Sequence, residues 1–103
     1  MGITVKPTPE DVARFEKHYE AFNQIQRYTE YEFYQHPSYL GIIGMGKPAV
    51  PLLLEKMKTK PDWWFVALRS ITQEWPCPSE HDGYLGALTD DWLKWGTANG
   101  LIS

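Results

Sequence analysis

Cys77, His81 and Asp82 share one short segment, EWPCPSEHDG, with Glu80 between the last pair and the thiol. A thiol, an imidazole and carboxylates are the groups used for metal binding and nucleophilic chemistry. A Cys-x3-His spacing supplies two zinc ligands, but a structural zinc site needs four. The sequence has no CxxC and no second ligand pair. Cys77 as a nucleophile with His81 as its base is the alternative. Pro76 and Pro78 hold that backbone extended, and nothing nearby suggests an oxyanion hole. The plainer reading is a polar loop with one thiol.

The other candidates for chemistry read as structural. His18 lies one residue off the apolar face of the first expected helix, an edge or solvated position. His36 precedes Pro37, where its ring can bond backbone groups at a helix start. Asp90 and Asp91 are expected to open the first turn of the last helix. No phosphate-binding loop, dinucleotide fingerprint or HExxH occurs. No catalytic residue, metal or cofactor is therefore expected, and the chain is read as a non-enzyme.

Binding residues stand out more. Five Trp and a 15% aromatic share are high for 103 residues. Trp63, Trp64 and Phe65 are consecutive, so on a helix they span about 200° and cannot all face one core. Such a helix is either packed on two sides or offers a ring to a partner, as aromatics do at interface hot spots. Tyr28, Tyr31 and Tyr34 could line a groove rim in the same way.

The net charge of −3 is too mild to name a partner, but its distribution is uneven. Residues 1–36 carry −2, residues 37–73 carry +3, and residues 74–103 carry −4. Lys47, Lys56, Lys58 and Lys60 make up most of the basic segment. They suit an acidic partner or a phosphate backbone; the plainer reading is lysines favoured at a helix C-terminus by its dipole. The binding residues expected on this basis are Trp63, Phe65, Lys56, Lys58 and Lys60. With an exposed ring, Phe65→Ala should weaken binding and spare the fold.

These residues need elements to hold them. The chain is 43% hydrophobic and 22% charged, enough to fold around one core. Thr8 is a good N-cap, followed by Pro9, Glu10 and Asp11. Val12, Phe15, Tyr19 and Phe22 then mark one face of a helix over about 9–26, with Ile25 continuing it. Residues 28–36 fit a helix or an extended segment, with helix favoured. Pro37 starts a short helix with Tyr39, Leu40, Ile42 and Ile43 inward, stopped by Gly44 and Gly46.

Pro48 and Pro51 flank the most helix-like stretch, which is resolved if that helix begins at Ala49. The first N–H groups of a helix have no internal acceptor, so proline costs little there. Val50, Leu53, Leu54 and Met57 form its inward stripe. A fourth helix is expected over 61–73, with Trp64, Leu68 and Ile71 as its stripe and Trp63 and Ala67 beside it. Residues 74–83 are a Pro-rich loop. Leu85, Leu88, Trp92 and Trp95 then give a helix to about Ala98, closed by Asn99 and Gly100.

The expected fold is all-α: one domain over residues 1–103, a bundle of four or five helices behind an extended lead-in at 1–8. The stretch Gly46 to Met57, G-x-x-A-V-P-x-L-L-x-x-M, resembles the first helix of a HEAT-type repeat, with Trp63 to Thr72 as the second. The longer string HPSYLGIIGMGKPAVPLLLEKM … PDWWFVALRSIT … DDWLKWG is similar to a family of small bacterial and phage-type proteins without an assigned activity. This likeness covers about residues 36–96. It implies one HEAT-like hairpin closed by flanking helices, and it implies fold more than function.

The single cysteine excludes an intrachain disulfide. No signal region opens the sequence, and no apolar run reaches the roughly 20 residues that span a bilayer. A soluble, cytoplasmic protein without a membrane partner is expected. The function expected is a protein–protein interaction module of bacterial or phage type: an adaptor, inhibitor or antitoxin-like protein. A nucleic-acid-associated protein using Lys47 to Lys60 is the alternative, and self-association into a homo-oligomer stays open.

Overall fold

A computed structural model describes residues 6–24 and 35–102. Five α-helices follow in order: α1 Pro9–Asn23, α2 Pro37–Met45, α3 Ala49–Thr59, α4 Phe65–Thr72 and α5 Leu85–Ala98. A single 3₁₀ turn, Ser79–His81, interrupts the loop before α5, and no strand occurs among the described residues. The fold is the expected all-α bundle. Ile25, Tyr28, Tyr31 and Tyr34, most of the ambiguous 28–36 stretch and most of the lead-in lie outside the described residues.

Local chemistry sets the helix starts. Thr8 and Asp11 form a reciprocal capping box: the Asp11 N–H donates to Thr8 Oγ1 at 3.1 Å, and the Thr8 N–H donates to Asp11 Oδ2 at 2.9 Å. The His36 ring caps α2, its Nδ1 accepting from the Ser38 N–H at 3.0 Å. α3 begins at Ala49 with Pro48 as cap and Pro51 in the first turn, so neither proline removes a helical hydrogen bond. Gly46 makes the turn between α2 and α3 at φ 74°, a conformation that favours glycine.

α4 starts at Phe65, four residues later than expected. Asp62 is the reason. Its Oδ1 accepts from the Trp63 N–H at 2.7 Å, and its carbonyl accepts from the Trp64 N–H at 2.9 Å. The segment becomes a turn, because a short polar side chain competes with the helix for local amides. Trp63 and Trp64 therefore precede the helix, and the 200° argument does not apply to them. Asp90 and Asp91 fall in the middle of α5, which already begins at Leu85.

One core joins all five helices. Phe15, Tyr19 and Phe22 enter from α1, and Tyr39 and Ile42 from α2. Val50, Leu53, Leu54 and Met57 enter from α3, Ala67 and Leu68 from α4, and Leu88 and Trp92 from α5. Trp64 is fully buried, with its ring 4.7 Å from Tyr39 and nearly parallel to it, 4.8 Å from Phe22 and 5.8 Å from Tyr19. Val12 and Leu40, both expected inward, are exposed. On α2 the inward face is fixed by Tyr39 and Ile42, and Leu40 sits about 100° around from Tyr39.

α1 lies along α2, α2 along α4, and α3 along α5, while α3 and α4 are not a closely packed pair. An α4 of eight residues, set off by the Asp62 turn, packs on α2 and leaves the face of α3 to α5. Among the described residues no helix is long and apolar enough to cross a membrane.

Candidate functional site

The structure separates the five expected binding residues. Phe65 is buried, 4% exposed, with its ring edge-on to Trp63 at 5.6 Å. As the first residue of α4 it points into the core, so it offers no ring to a partner. Its truncation would open a cavity costing about 3–5 kcal/mol, a loss of fold and not of binding alone. Trp63 is half-buried against the same core, and its carbonyl accepts from the Tyr39 hydroxyl at 2.9 Å. Trp64 and Phe65 of this segment are thus core packing, with Trp63 at the core's edge.

The lysines are divided as well. Lys56 is paired with Glu16 of α1 at 3.0 Å and stands over the Tyr19 ring at 5.1 Å, so it ties α3 to α1. Lys58 is paired with Glu55 at 2.8 Å, one turn back on α3. Lys60 caps the end of α3 and is exposed. Lys47 precedes the start of α3, which puts about 16 Å of helix between it and Lys58. Lys47 and Lys56–Lys60 do not form one continuous basic strip.

Lys58 instead meets a residue that sequence reasoning passed over. Lys58, Asp90, Leu93, Lys94, Thr97, Ala98 and Ile102 line an open groove of about 520 Å³ between α3 and the second half of α5. Leu93, Ala98 and Ile102 supply its apolar lining, and it carries one lysine from each helix, Lys58 from α3 and Lys94 from α5. The signal available in the sequence was the stripe Asp90, Leu93, Lys94, Thr97, at helical spacing just outside the buried stripe. It could not be read, because Lys94 is the one cation of an otherwise acidic segment.

The loop candidates do converge, with roles unlike those of a catalytic dyad. His81 Nδ1 lies 2.6 Å from Asp91 Oδ2 on α5, so with the carboxylate as acceptor this nitrogen carries the hydrogen. Cys77 is buried in the same place. Burial first, then the charges of Asp91 and Asp82, push its thiol pKa up from 9.0 to about 11. A nucleophilic cysteine needs the opposite, a depressed pKa beside a base. Here His81 serves Asp91 and the surrounding charge is negative. The cluster fastens the Pro-rich loop to α5. Among the described residues no group of three His, Cys, Asp or Glu side chains is placed to hold a metal ion.

Two further contacts close the loop. Trp75 packs edge-on against Trp92 at 6.1 Å with the Arg69 guanidinium 5.7 Å from its ring. The Trp95 indole N–H donates to Glu74 at 3.2 Å. His18 and His36 sit where structural roles require them: His36 caps α2, and the His18 ring fills the space that a Cβ on Gly41 would need. In comparison with known proteins, no family model matches the chain, and no curated protein or solved structure matches it either.

Proposed function

We propose that this chain is a non-enzymatic protein-interaction module that meets its partner with the α3–α5 groove. The observation that supports this is the groove itself: an open apolar floor bordered by Lys58 and Lys94, with Lys60 exposed at the end of α3. Apolar surface in a concavity with charge at the rim is the usual anatomy of a protein interface. Adaptor, inhibitor and antitoxin-like roles suit such a surface. A phosphate backbone is the poorer fit. Lys56 is held by Glu16 against α1, and Lys47 lies at the far end of α3 from Lys58 and Lys60, so the lysines do not track one backbone.

The test compares the wild type with the K58E/K94E double variant in capture of partners from the native host. Both lysines are partly or fully exposed, so circular dichroism should show an unchanged fold. A partner retained by the wild type and lost by the variant supports the reading. A partner held equally by both overturns the assignment of this face.

A further inference from the structure

We infer that the α3–α5 groove receives an acidic amphipathic α-helix of the partner; this rests on the binding-module reading above and names the chemistry of its occupant. The first argument concerns backbone hydrogen bonds. Most of the lining comes from α5, whose mid-helix backbone groups bond internally, and the described residues contain no strand edge to which an extended peptide could add. The floor of Leu93, Ala98 and Ile102 offers no hydrogen bond. Thr97, its main neutral polar side chain, already donates its hydroxyl to the Leu93 carbonyl at 3.0 Å. An extended segment laid there would turn amides toward an apolar lining that offers them no partner. A helix brings its own backbone bonds and needs only an apolar stripe.

The second argument is charge. Lys58 of α3 and Lys94 of α5 both line the groove, with Asp90 one turn from Lys94 as the single acidic liner. Lys58 has three donors, so it can keep Glu55 and take a second carboxylate. An occupant with an apolar stripe bordered by carboxylates therefore matches the apolar lining and the two lysines together. The lining spans residues 90 to 98 of α5, about 12 Å, so two to three turns of partner helix cover it.

The experiment titrates the full chain with three synthetic peptides of about 15 residues, long enough to form a helix on binding. The first has leucines at helical spacing flanked by glutamates. The second replaces those glutamates with lysines. The third is the acidic peptide with a central proline. The expected result is that the acidic helix binds at least tenfold tighter than the other two and shifts the amide resonances of Leu93, Thr97 and Ile102. K58E/K94E should reverse the preference toward the lysine peptide. Equal binding of the lysine or proline peptide, amide shifts elsewhere, or a concentration-dependent dimer covering Leu93 and Ile102 overturns the inference. If no peptide binds while the captured partner is still lost by K58E/K94E, the helical occupant falls and the module reading stands. If the partner is also retained, both fall.

Discussion

Tyr39 shows how much one side chain decides. Its hydroxyl donates to the Trp63 carbonyl at 2.9 Å and accepts from the Ala67 N–H at 3.1 Å. Ala67 is the third residue of α4, so its amide is one of those a helix leaves unpaired at its start. Tyr39 thus caps α4 from another helix, and burial raises its pKa and keeps it protonated. Tyr39→Phe leaves a buried carbonyl and amide without this partner and should cost about 1–3 kcal/mol in a urea titration. A change below a few tenths would show that the cap is dispensable. Cys77 carries the second expectation. Its raised pKa means that the native state holds the proton more tightly than the unfolded chain. The stability this supplies is whole below about pH 9 and fades as pH rises through about 11. Alkylation of the native thiol should accordingly speed up about tenfold per pH unit up to about 11. A plateau near pH 8 would contradict this.

At the scale of elements, the close approaches are made where side chains are absent. A Cβ on Gly96 would stand 2.6 Å from Leu54 Cδ1 and 3.2 Å from Ile102, so this glycine lets α5 reach α3. A Cβ on Gly44 would meet nothing within 4 Å, and that position is an exposed helical one. Gly96→Ala should lower stability by about 1–3 kcal/mol, because Leu54 is fully buried and has little room to yield. Gly44→Ala should raise it by about 0.5–1 kcal/mol, since glycine inside a helix costs conformational entropy. Thermal melts of the two variants shifting in the same direction would refute the assigned packing. The helix starts behind these contacts were legible beforehand: Thr8 with Pro9, His36 with Pro37, and Pro48 with Ala49 each act within one turn. The start of α4 was not. Pro61 and Asp62 fit a first turn by type, and only the Asp62 hydrogen bonds show that the turn comes first.

Across the whole molecule, one core reaches from Phe15 through Trp64 to Trp92. Near-ultraviolet and far-ultraviolet circular dichroism should therefore report a single coincident unfolding transition, as expected of a domain with one core. Two separated midpoints would mean that the α3–α5 pair and the aromatic cluster around Trp64 unfold independently. The closest helix pairings are α1 with α2, α2 with α4 and α3 with α5. For the candidate site, Lys58 was named in advance, whereas Phe65 was assigned to a surface it does not reach and Trp63 is half-buried away from the groove lining. By itself the sequence determined an all-α chain of four or five helices and most of their starts, because caps, prolines and apolar spacing act within a turn or two of the chain. Only the tertiary structure decided which aromatic rings lie inside, that Tyr39 caps α4, and that Lys58 and Lys94 border one groove. Those outcomes depend on how apolar faces far apart in sequence fit together, and no local preference encodes that fit.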